Sequence, residues 1–310
     1  GQGAIRCHPF VLAELQAAGL EDERAAVTAF DRALFGHIGF SISNFFRALW
    51  LGLSNSAFSA SPYADATAKY YKQMNRYSAA LALMSDVAMG TMGGDLKRRE
   101  RISARLGDML SMLYLTSSVL KRYNDDGRPA QDLPLVQWAC EDNMYKAQVA
   151  LDEMLDNFPN RIVGSVLGKL LFPWGRTLRK PSDQLDHQVS RIMQTPCEAR
   201  SRLATNVYLT LEPNNQIGLI EKALTDILAA EPIFDKVVHA ANKRLPFFRL
   251  HEVAALGLEL GVITEAEAEK LRVAEQGRLH TINVDDFDPL ELAADKSLFD
   301  KKPKAKSVAA

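Results

Sequence analysis

Apolar positions recur along this chain at intervals of three and four rather than two, which is the period of one face of an α-helix. Four long segments carry the pattern. Residues 23–53 set Val27, Phe30, Leu34, Ile38, Ile42, Phe45, Leu49 and Leu53 on one stripe, with Gly36 and Gly39 predicting a bend. Residues 62–92 place Tyr70, Met74, Tyr77, Leu81, Met84 and Val87 together, and Gly93-Gly94 supplies the stop. Asp95 is placed to cap a third helix, to about residue 123, with Leu96, Ile102, Leu106, Met109, Leu113 and Leu120 inward; Trp138 belongs to the apolar stripe of the fourth, from after Asp132 to about residue 158. Four long helices with short connections predict an antiparallel bundle.

Beyond residue 160 the helices shorten and proline and glycine thicken. Thr195-Pro196-Cys197-Glu198 reads as a capping box with proline at the first helical position. Short helices are expected at about 217–230, 232–244 and 250–260, the last closed by Gly261. Thr264 and Glu267 form a second capping box for a helix to about residue 280. The fold class is therefore all-α: a long antiparallel four-helix bundle followed by a cluster of shorter helices. The expected organisation is a lead-in at 1–20, the bundle at 21–160, the short-helix region at 161–295 and a disordered tail at 296–310, where KKPKAKSVAA is charged and apolar-poor.

Charge narrows the function classes. With 37 basic against 38 acidic residues the net charge is −1, so no global field draws nucleic acid, and none is expected as a partner. Cys7, Cys140 and Cys197 are odd in number and widely spaced, which fits reduced thiols in the cytoplasm. No run of about eighteen apolar residues is present. The six histidines, His8, His37, His187, His239, His251 and His280, contain no pair at i, i+4, and no nucleophile elbow or phosphate-cradling loop occurs, so no metal site or cofactor loop is expected.

Three clusters could carry chemistry. Asp285, Asp286 and Asp288 could hold a divalent cation, or cap a short helix from Pro289. Lys97, Arg98, Arg99, Arg101 and Arg105 crowd positive charge at a helix start, where the dipole disfavours it; they could face phosphate or acids on neighbouring helices. The segment 161–182 is the most suggestive. Ile162, Val163, Val166, Leu167, Leu170 and Leu171 share an apolar face followed by Phe172 and Trp174, while Arg161, Lys169, Arg176, Arg179 and Lys180 bring five positive charges and no acid. Such a segment can lie in a membrane interface, or be a bundle helix with a basic rim. The membrane-contact candidates are Ile162, Val166, Lys169, Leu170, Phe172, Trp174, Arg176, Arg179 and Lys180.

The strings LKRRERISARLGDMLSMLYLTSSVLKRYNDDGR from Leu96, DLPLVQWA from Asp132, NFPNRIV from Asn157, PSDQLDHQVSRI from Pro181 and INVDDFDP from Ile282, with Phe30-Asp31 to Leu53, resemble the C-terminal region of the long bacterial acyl-CoA dehydrogenases of fatty-acid β-oxidation. The likeness spans nearly the whole chain. Residues 105–122 also look like the corresponding helix of the mitochondrial very-long-chain enzyme.

This resemblance implies an FAD enzyme that converts fatty acyl-CoA to trans-2-enoyl-CoA, an electron-acceptor flavoprotein as partner, and a homodimer working in the cytoplasm or peripherally on the inner membrane. It implies further that the family's base glutamate, in a Glu-Gly-Ala/Thr-Asn motif, and its main flavin contacts precede Gly1, so that 1–20 ends the catalytic domain. Glu14, Glu21 and Glu23 do not match that motif. No catalytic, cofactor-binding or metal residue is therefore expected within the chain, and its role would be structural, dimer-forming or membrane-docking. The competing reading is a stand-alone helical scaffold or binding module without redox activity.

Overall fold

The computed structural model describes residues 8–242, 244–245 and 249–284. Among them all regular structure is helical, as the three-and-four spacing predicts. The chain divides into two compact units, Gly1–Arg200 and Ser201–Ala310. The first holds α1 (Val11–Ala18), α2 (Glu23–Leu53), α3 (Ala68–Met92), α4 (Glu100–Asp125), α5 (Leu133–Asp156), α6 (Arg161–Leu171) and α7 (Asp183–Gln194); α8 (Glu198–Leu203) runs across the division. The second holds α9 (Gln216–Ala241), α10 (Leu250–Glu259) and α11 (Glu265–Ile282).

In the first unit α3, α4 and α5 pack on one another, α2 lies along α3 with α1 against it, and α6 bridges α2 and α5. Tyr77, Met84, Met109, Leu113, Met144, Leu151 and Met154 fill the shared core. Of the stripes read for α3 and α4, Tyr70, Tyr77, Met84, Ile102, Met109, Leu113 and Leu120 are buried, as is Leu96 in the turn ahead of α4, while Met74, Leu81, Val87 and Leu106 are half-buried and Leu83, off the stripe, is buried. One cation is buried with them. Arg76, on α3, is 5% exposed and donates to Leu171 O (2.9 Å) and Asn55 Oδ1 (2.5 Å), so a charged group ties the end of α6 and the loop after α2 to the core.

Several boundaries differ from the sequence reading, each for a local reason. The helix read from residue 62 starts at Ala68, because Asp65 Oδ1 accepts from both the backbone N–H and the hydroxyl of Thr67 and holds that stretch as a turn. Asp95 does not cap α4. Residues Gly93–Lys97 form a 3-10 turn, and α4 begins at Glu100 with no side-chain cap. Lys97 and Arg98 thus lie ahead of the helix, with Arg99 at its N-cap position.

Trp138 is half-buried rather than buried, its indole N–H reaching Asp186 Oδ1 at 2.5 Å. The box read at Thr195 does not place proline inside a helix, since α8 begins at Glu198. The two helices read at 217–230 and 232–244 are one helix, α9, with Pro232 inside it. Proline removes one ladder hydrogen bond; Ala230, Ile233 and Val237, on both sides of it, enter one core with α10 and α11, and that shared burial offsets the loss. Gly261 (φ +65°) closes α10's end and the Thr264–Glu267 capping box forms as read. The clustered acids Asp285, Asp286 and Asp288 and the tail 296–310 lie outside the described residues.

Candidate functional site

The segment 161–182 occupies one edge of the first unit. Asn160 starts α6 by accepting from the backbone N–H groups of Ile162 (3.1 Å) and Val163 (3.2 Å). The helix then turns Gly164, Leu167 and Leu171 inward. Gly164 is required by proximity: a Cβ there would stand 2.6 Å from Leu155 O. Arg161, Ile162, Ser165, Val166 and Lys169 consequently face solvent, with Ile162 77% and Val166 59% exposed.

The expected membrane-contact residues divide into two groups. Phe172 is buried in the core, and Leu170 is half-buried against it. Arg176 stands over the Phe172 ring, 4.9 Å from its centroid, and bonds to Asp152, which holds its guanidinium further toward the charged form. These three serve the fold. Ile162, Val166 and Trp174 project outward, the last 67% exposed with its indole N–H anchored on Leu53 O at 2.8 Å. Lys169, Arg179 and Lys180 are exposed as well, Lys180 lying over Tyr145 at 5.6 Å. The segment thus exposes both apolar and basic groups, with Arg161 as a fourth cation.

Two open clefts adjoin this edge. One, of about 360 Å³, is lined by Asp156, Arg161, Ser165, Lys169 and Arg176 among others; a second, of about 570 Å³, by Asp108, Asp142, Lys146, Glu153 and Lys180 among others. Neither fits the flavin dinucleotide that the resemblance implies. The first is too small for its isoalloxazine and adenine together, and the second would set three carboxylates against its diphosphate.

A polar cluster that no sequence signal foreshadows joins α1, α2 and α3. His8, His37 and Asp86 bring possible ligand atoms within 4.8 Å of one another, from positions far apart in the chain. Their hydrogen bonds oppose metal binding. His8 Nδ1 accepts from the backbone N–H groups of Phe10 (3.2 Å) and Val11 (3.1 Å), so Nε2 carries the proton and donates it to Asp86 Oδ1 at 3.0 Å. Ser41 donates to Asp86 Oδ2 at 2.8 Å, and His37 Nδ1 donates to Glu14 Oε1 at 2.8 Å. With one ring nitrogen capping α1 and the other spent on Asp86, His8 has no lone pair for a cation. The cluster acts as a polar clamp on three helices.

The basic cluster around the start of α4 faces acids where its partners are seen: Arg105, within α4, reaches Glu153 on α5 at 3.3 Å, and Arg98 reaches Asp95 at 3.8 Å. Among the described residues no helix is long and apolar enough to cross a membrane.

No solved structure matches the chain. A family model described as acyl-CoA dehydrogenase, C-terminal, bacterial type, matches residues 5–287, which takes in both compact units and the edge formed by α6. With all regular structure among the described residues helical, and with that model matched over nearly its whole length, the chain belongs to the acyl-CoA dehydrogenase family as its bacterial-type C-terminal region.

Proposed function

We propose that the intact protein is an FAD-dependent dehydrogenase converting fatty acyl-CoA to trans-2-enoyl-CoA in β-oxidation, passing its electrons to an acceptor flavoprotein, and that this chain is its non-redox region. The family match supports the activity. The assignment of the chemistry elsewhere rests on the mismatch between the flavin and the clefts near α6. Removing a proton beside a thioester carbonyl needs a base facing the substrate, and at those open clefts Asp142 pairs with Lys146, Glu153 with Arg105, and Asp156 lies with Arg161 and Arg176. The purified chain is expected to be colourless. A flavin absorption band that survives gel filtration would overturn the reading.

The role proposed for the α6 edge is docking on an anionic membrane surface. What supports it is the exposure, on one short segment, of the apolar Ile162, Val166 and Trp174 together with the basic Arg161, Lys169, Arg179 and Lys180. Each cation near an anionic surface contributes about 1 kcal/mol, and apolar insertion adds about 25 cal/mol per Å². Fatty acyl chains partition into bilayers, so an enzyme acting on them gains local substrate concentration there.

Vesicle flotation of the intact enzyme tests this, with anionic and zwitterionic lipid at low and high salt. Wild type is expected to float with anionic vesicles at low salt only. Lys169→Glu with Lys180→Glu, and Trp174→Ala, are expected to remain at the bottom. Equal flotation of all variants, or none by wild type, would return the edge to a purely structural role.

A further inference from the structure

We infer that the cleft along α6 is a site for one phosphodiester, that of an anionic phospholipid headgroup, held by Arg161, Ser165, Lys169 and Arg176; this rests on the membrane docking proposed above and names the group that the docked edge binds.

Arg161, Ser165 and Lys169 follow one another at steps of four, so they stand in one line along α6. Together with Asp156, Phe172 and Arg176 that line borders a cleft of about 360 Å³. A volume at the lower end of the roughly 300–1,000 Å³ of small-ligand sites suits a headgroup rather than a whole lipid. Gly168 keeps the cleft open: it lines the cleft, and nothing lies within 4 Å of where its Cβ would stand.

The donors are uncommitted. Among the described residues neither Arg161 nor Lys169 has an ion-pair partner. The Ser165 hydroxyl makes no hydrogen bond among them either, whereas Thr116 and Ser118 in α4 bond back to the carbonyl four residues earlier. Arg176 spends Nε (2.8 Å) and Nη2 on Asp152 Oδ1, which fixes the guanidinium plane and leaves Nη1 without a partner among the described residues. A fork fixed in this way loses little freedom on meeting a phosphate oxygen.

Charge selects the class of phosphate. Arg161, Lys169 and Arg176 stand against Asp156 and against Asp152, the partner of Arg176, which leaves one positive charge in excess. A phosphodiester carries one negative charge and balances it. A phosphate monoester carries about −1.5 to −2 at pH 7, more than the cleft offsets. The helix supplies the reason for a lipid source: at about 100° per residue, Ile162 and Val166 lie roughly 60° and 100° round α6 from Ser165. Both are exposed, so a phosphate held on the line has apolar side chains beside it on the same helix, as at the boundary between headgroups and acyl chains.

Calorimetric titration of the intact enzyme with dihexanoyl phosphatidylglycerol, below its micelle-forming concentration, tests the site beside vesicle flotation of the same proteins. Wild type is expected to bind the short lipid saturably, and inorganic phosphate about ten-fold more weakly or worse. Gly168→Leu fills the cleft and alters no charge, while Arg161→Gln and Lys169→Gln each remove one charge-assisted hydrogen bond; all three are expected to weaken the short lipid about ten-fold or more. Gly168→Leu is nevertheless expected to float with anionic vesicles at low salt, because its cations and its exposed Ile162, Val166 and Trp174 are those of wild type. Wild type that floats without a saturable titration, or Gly168→Leu or Lys169→Gln that binds as tightly as wild type, would overturn the site and leave the docking standing. Inorganic phosphate bound as tightly as the lipid would make the ligand a free phosphate and overturn the lipid source. Wild type that does not float would sink the docking reading and this one with it.

Discussion

The packing of α6 against α5 can be probed with two glycines four residues apart. Gly164 and Gly168 share the helix Arg161–Leu171 and so share the helix-propensity gain of a glycine-to-alanine change, about 1 kcal/mol. They differ in what a methyl group meets. At 164 it would sit 2.6 Å from Leu155 O and 3.0 Å from Phe158 Cβ; at 168 nothing lies within 4 Å. Carbon contacts are comfortable near 3.5 Å, so α6 must retreat from α5 by roughly 0.5–1 Å to admit the first methyl. Overpacking of this kind costs about 1–3 kcal/mol.

Gly168→Ala is therefore expected to stabilise the first unit by about 0.5–1 kcal/mol, and Gly164→Ala to fall about 1–3 kcal/mol below it. Urea unfolding followed by tryptophan fluorescence reads the difference on the right part of the molecule, since Trp50, Trp138 and Trp174, the chain's three tryptophans, all lie in Gly1–Arg200. Equal midpoints for the two variants would show that α6 does not approach Leu155 as closely as described.

Leu113→Ala is expected to cost about 2–5 kcal/mol in the same assay, because Leu113 is buried in the core between the long helices; a loss below about 0.5 kcal/mol would place it at the surface. Burial, with Glu141 adjacent, pushes the Cys140 thiol up to about 12, so native protein at pH 8 is expected to leave Cys140 unalkylated in peptide mapping until denaturant is added. Asp65 is held below the ordinary carboxylate value of 3.8 by its hydrogen bonds to Thr67 and by Arg128. A depressed folded value stabilises the fold above the unfolded pKa and ceases to do so as pH falls through the folded one. Asp65→Asn is therefore expected to lower stability at pH 7 and to make no difference well below pH 3.8, as read by urea midpoints across that range.

The sequence exposes the helices and hides how they are used. The inward stripes of α3 and α4 were legible because one periodic face faces one core, as Tyr77, Met84, Met109 and Leu113 show. α2 was less legible. Its apolar residues surround the helix, and periodicity alone does not say that the core lies against Ala33, Asn44 and Ala48 rather than against Ile38 and Ile42. The α6 edge was legible as a basic apolar segment but not residue by residue. Phe172 and Trp174 are near neighbours of like character, and only the chain's turn after Leu171 sends one inward and the other out. The clamp of His8, Glu14, His37, Ser41 and Asp86 carried no signal at all, since it forms from three helices whose relative placement no local spacing encodes.

The location of the redox chemistry is tested most directly by anaerobic mixing of a fatty acyl-CoA with the intact enzyme and, separately, with this chain alone. Bleaching of the flavin absorption with formation of the trans-2-enoyl-CoA is expected from the intact enzyme, and neither signal from the chain even when free FAD is supplied. Enoyl-CoA formed by the chain with added FAD would contradict this, as would an intact enzyme whose flavin fatty acyl-CoA leaves oxidised.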